Sequence, residues 1–334
     1  MEEERIRGLA AVKKTRDRQR RFPAIPGRVF LWIGSVLLVW GVLYFRYTQS
    51  QLDSEKAKVF EKQRAIAAEI GPEYEPLRDR IEAWTKAASG AYEGDFIDPA
   101  IGELDFMKAA GVYLRLRLSD ATTVESIREA AQSSLRDGFT SCLFRPDNPD
   151  PTLGPPCQYT KDCEKGLFCS EFERCTKATQ PYNMRSIYRG TRVLSEEWTV
   201  DLRTTTNDMR VRYLNGELDA MAAEDVPRAV EALKNATFFL LVLDEDPATE
   251  LAADAGAEAV QAEPHPARVY LYGLRPPHDR LLLRLRRDVD AQLLSGAGTA
   301  LLSPEVLAAQ KRQANGCQLA LEVRRAVEDV YPIP

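Results

Sequence analysis

The chain has 334 residues, of which 44% are hydrophobic and 28% are charged, and its formal net charge is −5. This hydrophobic content allows a buried core and excludes a wholly disordered chain. Residues 1–46 carry ten Lys or Arg and four Asp or Glu, a net of +6, which leaves −11 for residues 47–334. Such an acidic remainder argues against nucleic acid as a partner.

The first predicted element is a membrane-spanning helix over residues 29–46. Residues 29–45 contain no charge, and Arg28 and Arg46 flank them. At about 1.5 Å per residue they cover roughly 25 Å, a little less than a hydrocarbon core of about 30 Å. A cleaved signal peptide is the alternative, but no small-residue cleavage site follows the apolar run. Membrane lipid is therefore the first expected partner.

Residues 1–28 form a basic tail that indicates how the span is oriented. Within about twenty residues of the span, seven Lys or Arg precede it and five follow it. The positive-inside rule then places the N-terminus in the cytosol and the rest of the chain on the other side of the membrane. The Ala, Arg and Leu usage favours a bacterial inner membrane, with the C-terminal domain in the periplasm or otherwise extracellular.

Residues 47–90 are predicted to form a helical stalk. Leu52, Val59 and Ile66 lie at heptad spacing, which fits either a coiled-coil dimer or packing on the chain's own domain. We favour packing on the domain because the heptads are few. Gly34 and Gly41 in the span also permit a homodimer. Gly71-Pro72 is expected to end the stalk helix, and Pro76 to begin a short one.

Residues 91–334 are predicted to fold as one extracytoplasmic α+β domain. Strict alternation over 111–118 predicts a half-buried strand, and Thr123 is the predicted N-cap of the next helix. The short apolar run 139–144 predicts a second strand. Residues 237–243 are continuously apolar, which predicts a central strand covered on both faces.

The remaining elements complete a two-layer domain with a mixed sheet and helices mainly on one face. Residues 247–266 are predicted to form a surface loop, 268–274 and 280–286 a hairpin, and 303–330 a last helix. Residues 146–181, which are rich in proline and cysteine, are predicted to be a small disulfide-rich insert.

All six cysteines follow the predicted span, namely Cys142, Cys157, Cys163, Cys169, Cys175 and Cys317. An even number of cysteines on the exported side of a membrane predicts up to three disulfides. Their spacing alone leaves the pairing open. A zinc site is the alternative because four thiolates can bind this ion, although zinc ligands usually come as pairs separated by roughly two to four residues.

Four of these cysteines recur every six residues between Cys157 and Cys175, and Asp162-Cys163 and Gly166-Leu-Phe-Cys169 lie among them. In these features the segment resembles the short disulfide modules of the dickkopf and colipase type. The resemblance implies a small knob without an assigned function, in which Cys157 pairs with Cys169 and Cys163 pairs with Cys175. It would leave Cys142 to pair with Cys317.

One cluster of carboxylates, Asp244 and Asp246, lies at the end of a predicted buried strand. This Asp-x-Asp resembles the nucleophile motif of haloacid-dehalogenase-like phosphatases, but Ala248 stands where that family has Thr or Val. We therefore expect a solvated strand end. His265 and His278 are expected in surface turns. No catalytic, cofactor-binding or metal-binding residue is predicted.

The sequence thus favours a membrane-anchored, non-enzymatic protein of the structural or protein-interaction type, which binds another protein of the cell envelope. A periplasmic ligand-binding or sensing domain is the second hypothesis. A metal-dependent hydrolase that uses Asp244 and Asp246 is the third. No cofactor is predicted under the first hypothesis.

Overall fold

The computed structural model of the chain describes residues 27–103, 110–134, 138–144, 154–165, 167–170, 173–176, 181–247, 256–291 and 303–330. The chain divides into two compact units, Met1–Lys58 and Val59–Pro334. The predicted basic tail 1–28 lies outside the described residues except for its end, and so does much of the predicted insert 146–181.

Helix α1 spans Gly27–Ala88 and contains Pro72 and Pro76. The prediction that Gly71-Pro72 ends this helix is therefore wrong. A proline removes one backbone hydrogen bond from a helix, but packing holds α1 beyond both prolines. Ile81 is fully buried, and the hydroxyl groups of Tyr74 and Thr191 lie 2.9 Å apart. These tertiary contacts override the local signal.

The first part of α1 carries the apolar segment. Its large apolar side chains from Val29 to Tyr47 are exposed. The helix is long and apolar enough to cross a membrane, with a mean hydropathy of 1.8 over its most apolar window. In the second unit, the side chain of Gln63 donates to the carbonyl oxygen of Val193 at 3.4 Å. This part of the predicted stalk therefore packs on its own domain, as favoured from the heptads.

Strands β1 (Phe96–Ile97), β2 (Gly111–Arg117), β5 (Tyr182–Asn183), β6 (Phe238–Asp244), β7 (His265–Gly273) and β8 (Leu281–Val289) form one mixed sheet. Its order is β1-β8-β7-β6-β2-β5. Strand β2 is parallel to β5 and β6, and the other neighbours are antiparallel. Two short strands, β3 (Phe168–Cys169) and β4 (Cys175–Thr176), pair separately in the cysteine-rich segment. A mixed sheet is thus confirmed.

Four of the five predicted strands are present. Strand β6 is buried at every position, which confirms a central strand. Strands β7 and β8 pair as the predicted hairpin. Strand β2 also forms, but the expectation that it is half-buried is wrong, because Tyr113 and Arg115 on its second face are as inaccessible as Leu114 and Leu116.

Helices α2 (Val124–Ser133), α3 (Gly138–Leu143), α4 (Met184–Gly190), α5 (Glu196–Thr204), α6 (Asp208–Ala223), α7 (Asp225–Asn235), α8 (Ala257–Ala262) and α9 (Pro304–Val330) surround the sheet. Helix α9 confirms the predicted last helix. Helix α2 begins after the predicted cap, since Oγ1 of Thr123 accepts from the backbone N–H of Ser126 at 3.1 Å.

Helices, including the second part of α1, cover both faces of the sheet, so the predicted two-layer arrangement is wrong. On one face, Leu319 of α9 belongs to the same core as Leu240 and Val269. On the other face, Trp84 of α1 stacks on Tyr272 with 4.6 Å between the ring centroids. Successive residues of a strand point to opposite faces. A sheet covered on both sides explains why β2 is buried at every position before Arg117.

The predicted strand 139–144 is instead helix α3. A short apolar run fits a buried helix as well as a strand. Here the contact with α9 favours the helix. A Cβ atom added at Gly316 of α9 would lie 3.0 Å from the backbone nitrogen of Phe139, so the two helices approach closely. The sulfur atoms of Cys142 and Cys317 join them.

The predicted surface loop 247–266 is wrong in its second half. Helix α8 occupies Ala257–Ala262, and β7 already begins at His265. Val260 and Gln261 are buried, which makes this segment part of the core. Residues 248–255 lie outside the described residues.

Candidate functional site

The cysteine-rich segment is closed by two disulfides in the structure. Cys157 is bonded to Cys169 and Cys163 to Cys175, with Cα atoms 5.8 and 5.5 Å apart. The third bond, between Cys142 and Cys317, has a Cα separation of 5.1 Å. These are the pairs that the resemblance to short disulfide modules implies. Peptide mapping under non-reducing conditions tests them, and a Cys157–Cys163 peptide would contradict them.

The zinc alternative concerns the same sulfur atoms. Those of Cys157, Cys163 and Cys175 lie within 4.8 Å of one another. However, a metal binds the thiolate, and each of these sulfur atoms is bonded to another sulfur atom. Zinc binding would therefore require the reduced segment. Zinc in the protein purified without reductant, together with free thiols, would support the alternative.

The carboxylate of Asp244 lies at the centre of a buried polar cluster. This residue has no exposed surface. The guanidinium group of Arg115 donates to both of its oxygens, from Nε to Oδ2 at 2.8 Å and from Nη2 to Oδ1 at 2.7 Å. Gln261 donates to Oδ2 at 3.0 Å, and Nε2 of His265 lies 3.0 Å from Oδ1. We call these four residues the Asp244 cluster.

The sheet register brings the members of the Asp244 cluster together. Arg117 of β2 lies opposite Asp244 of β6, so Arg115, two residues earlier, is on the same face. Strand β7 lies on the side of β6 away from β2, and its residue Ala267 pairs with Asp244. His265, two residues before Ala267, therefore lies on the same face of the sheet as Asp244. Helix α8 then supplies Gln261.

The electrostatics of the cluster favour an ionised carboxylate. Burial alone would raise the pKa of Asp244, but the charge of Arg115 and the hydrogen bonds from His265 and Arg115 hold this pKa well below its usual value. Nδ1 of His265 lies 2.7 Å from the carbonyl oxygen of Glu263. Both ring nitrogens of His265 therefore face oxygen atoms of the chain.

Two expectations are therefore wrong: Asp244 is not a solvated strand end, and His265 is not a surface residue. The sequence could not show that an arginine lies beside this carboxylate from 129 positions away. A signal was present, however, because Asp244 ends a strand that is apolar on both faces. A charge at that depth needs a partner.

The neighbouring acidic residues do not join Asp244 in one site. Glu245 accepts from Arg268 at 2.6 Å and from Arg286. Asp246 is exposed and accepts from Arg117 at 2.6 Å. A cation site or a nucleophile needs carboxylate oxygens that are free to bind metal or substrate. Both oxygens of Asp244 are engaged, which opposes the hydrolase hypothesis.

His278, the second histidine, lies apart from the Asp244 cluster in the turn between β7 and β8. Its Nε2 atom is 3.1 Å from Oε2 of Glu103. The ring is partly exposed. This position agrees with the expectation of a surface turn.

A cavity of about 360 Å³ adjoins the Asp244 cluster at the carboxyl end of β2. Arg115 and Gln261 form part of its wall. Its other lining residues are Leu116, Asp120, Ser126, Glu129, Ala130, Ser133, Ser134, Gly256, Ala257 and Glu258. Burial raises the pKa of Asp120 there. No sequence pattern predicts this cavity, because its lining comes from separate elements.

Comparison with known proteins adds no family. No model of a protein family matches the chain, and no curated protein and no solved structure is significantly similar to it.

Proposed function

We propose that the chain is a membrane-anchored, extracytoplasmic protein that binds another protein of the cell envelope. In this proposal the N-terminus is cytosolic, residues 29–46 cross a bacterial inner membrane, and the disulfide-bonded domain lies in the periplasm. The observation that carries the proposal is the exposed apolar surface of α1 in a chain whose cysteines pair with one another.

The apolar part of α1 supports the anchor. Side chains such as Phe30, Leu38 and Phe45 are more than half exposed, and each would be unfavourable in water. Lipid tails remove this cost without any protein contact.

The disulfides support the compartment. Disulfides persist in oxidising environments such as the periplasm, and cytosolic proteins rarely keep them. Every cysteine follows the predicted span in the sequence. The charge distribution, with +6 up to residue 46 and −11 afterwards, supports the same orientation.

The Asp244 cluster counts against the hydrolase alternative. Its carboxylate, which the sequence marks as the strongest candidate for chemistry, is fully enclosed by donors from the chain itself. Such a group stabilises the fold and has no oxygen left for a substrate.

The anchor and its orientation are tested in spheroplasts with a membrane-impermeant maleimide. We expect that Glu196→Cys, an exposed position on α5, reacts in intact spheroplasts, and that Ala10→Cys reacts only after detergent is added. The opposite pattern would reverse the orientation. Release of the chain from membranes by alkaline carbonate would refute the anchor itself.

The interaction is tested by crosslinking the full chain in cells of the organism that makes it. We expect one envelope protein in stoichiometric yield, because a structural partner is bound continuously. A chain that remains uncrosslinked at every exposed position of the second unit would overturn the binding proposal.

A ligand-binding or sensing domain is the second candidate, and the cavity beside the Asp244 cluster favours it. In sheets with parallel strands, ligands bind at the carboxyl ends of the strands. Asp120, Glu129 and Glu258 in the lining would suit a cationic ligand. Native mass spectrometry of the purified full chain tests this candidate, because a bound small molecule would add a defined mass.

A further inference from the structure

A second cavity, of about 610 Å³, lies where helices α4 and α7 meet. Three arginines line it, Arg189, Arg192 and Arg228, together with one acidic residue, Asp225. Its other lining residues are Gln132, Tyr182, Ser186, Ile187, Gly190, Met221 and Ala229. We call it the arginine cavity. Its basic lining contrasts with the acidic charge of residues 47–334 as a whole.

Packing of the two helices forms the base of the arginine cavity. A Cβ atom added at Gly190 of α4 would lie 3.1 Å from Cβ of Ala229 in α7, so the helices touch at this point. Gly190, Ile187 and Ala229 are buried. The cavity is therefore a feature of two packed helices rather than of a loop.

Arg228 lines the arginine cavity and has one guanidinium nitrogen without a hydrogen-bond partner among the described residues. Its Nη1 atom donates to Glu173 at 2.7 Å. Its Nε atom is buried and has no hydrogen-bond partner among the described residues. A buried donor without a partner costs about 1 to 3 kcal/mol. A ligand that accepts from this atom would remove that cost.

The same edge binds carboxylates elsewhere in this chain. Arg115 uses its Nε and Nη2 atoms to hold Asp244, and Arg128 uses the same two atoms to hold Glu82 at 2.8 and 2.9 Å. The planar edge matches the two oxygens of a carboxylate. The chemistry that Arg228 offers is therefore that of a carboxylate binder.

The other two arginines, Arg189 and Arg192, line the same cavity. Arg189 is exposed and uses its Nε atom to donate to the carbonyl oxygen of Gln132 at 3.0 Å. Arg192 forms an ion pair with Glu217. This pair offsets the charge of Arg192, so Arg189 is the residue that raises the attraction for an anion.

The shape of the surface favours a polypeptide over a small anion. The arginine cavity and a neighbouring cavity of about 270 Å³ share Gln132 and Arg192 in their linings. The second cavity is lined by Trp198 and Tyr213, and also by Arg210 and the acidic residues Glu197, Asp201 and Glu217. A free anion would fill one cavity only, whereas an extended segment contacts both.

We propose that the arginine cavity binds a carboxylate side chain from an acidic segment of the partner protein, held by the Nε and Nη2 edge of Arg228 beside Arg189 and Arg192. This inference rests on the proposed function, since it names the chemistry of the partner. Trp198 and Tyr213 would contact the residues that follow the acidic one.

The test uses the full chain in nanodiscs of uncharged phosphatidylcholine and a fluorescent hexaglutamate peptide. We expect binding that weakens with salt, and Arg228→Gln to weaken it about tenfold, as for the loss of one charge-assisted pair of hydrogen bonds. Arg228→Lys should also weaken it, because lysine lacks the planar edge. Arg189→Gln, at an exposed position, should weaken it about threefold.

The control is Arg325→Gln, which removes the same charge from an exposed arginine that pairs with Glu322 on α9. It should leave hexaglutamate binding unchanged. Equal binding by Arg189→Gln, Arg228→Gln and the unchanged protein would overturn the inference. So would binding of glutarate or inorganic phosphate in the absence of hexaglutamate binding. If Arg228→Gln fails to fold, Arg189→Gln decides.

Crosslinking in cells separates this inference from the proposed function. Loss of the partner in Arg228→Gln, but not in Arg325→Gln, supports both. Equal recovery of the partner by all three proteins would leave the proposed function standing and refute the arginine cavity as its site. Failure of the unchanged protein to recover any partner would instead count against the proposed function.

Discussion

Arg115 and Arg228 use the same side chain in opposite ways. Arg115 is buried, and the planar edge of its guanidinium group is closed by Asp244. Arg228 is only partly buried, and its Nε atom lacks a partner among the described residues. The first arrangement fixes strand β2 to strand β6. The second leaves an edge that a partner can fill.

The comparison shows that burial of a charge is a poor guide to function unless its hydrogen bonds are counted. The carboxylate that the sequence marks most strongly, Asp244, is occupied by its own chain. A buried group whose donors and acceptors are all paired belongs to the fold. A donor without a partner at the wall of a cavity is the better candidate for binding.

The largest expected effect is at Asp244, which occupies the guanidinium edge of Arg115. Asp244→Asn should lower the free energy of unfolding by about 3 to 5 kcal/mol, because Arg115 would keep a buried charge without its counterion. Denaturant unfolding of the full chain in detergent, followed by circular dichroism, measures the loss.

The control for Asp244→Asn is Asp246→Asn, the same substitution two residues later. The side chain of Asp246 is 63% exposed and pairs with Arg117, so its loss should cost less than about 1 kcal/mol. If the two variants were equally stable, the Asp244 cluster would not hold the sheet together.

A smaller effect is expected at Glu82, where a buried carboxylate pairs with a less buried arginine. Glu82 accepts from Arg128 and, at 2.9 Å, from the hydroxyl group of Tyr188. Burial and the charge of Glu82 keep the pKa of Tyr188 well above its usual value, so this phenol donates. Glu82→Gln should cost about 2 to 3 kcal/mol, since Arg128 can turn to solvent.

The matched control for Glu82→Gln lies on the same helix. Asp79 is exposed and pairs with Arg78, so Asp79→Asn should change the free energy of unfolding by less than about 0.5 kcal/mol. A comparable loss in both variants would indicate that α1 is destabilised by any loss of charge rather than by loss of the buried contact.

The third effect is a loss of stability in acid that depends on Glu245. Hydrogen bonds from Arg286 and, despite partial burial, from Arg268 lower the pKa of Glu245 from 4.5 to about 2. A lowered folded pKa stabilises the protein above the unfolded value, and this contribution is lost as the pH falls from 4.5 towards 2. After screening by solvent we expect about 1 to 2 kcal/mol.

Unfolding midpoints between pH 6 and pH 2 measure this loss, with Glu245→Gln as the reference. The variant should be less stable at neutral pH and should lose less stability on acidification. Parallel curves for the two proteins would mean that other carboxylates account for the whole dependence.

The elements that the sequence predicted are those whose signal is local. The continuous apolar run of β6, the hairpin of β7 and β8, and the cap at Thr123 each depend on neighbouring residues. Such signals survive folding because tertiary contacts reinforce them. The apolar length of helix α1 is likewise a local signal, because it depends on consecutive residues.

The elements that the sequence missed depend on contacts between distant residues. Helix α3 forms because it packs closely on α9. Helix α1 continues through two prolines because its second part is buried. Asp244 pairs with an arginine 129 positions away. The arginine cavity had no signal of its own, because its lining residues come from several helices. Only the fold brings them together.

The smallest expected effect is at Arg228, whose Nε atom has no partner among the described residues. Arg228→Gln should change the free energy of unfolding by less than about 1 kcal/mol, because its pair with Glu173 is exposed and its Nε atom has no partner to lose. Arg115→Gln, the same substitution at the closed site, should cost about 3 to 5 kcal/mol. Denaturant unfolding of both variants gives the contrast directly. An equal loss would show that Arg228 supports the fold as Arg115 does, and its open edge would then be no reason to place a partner there.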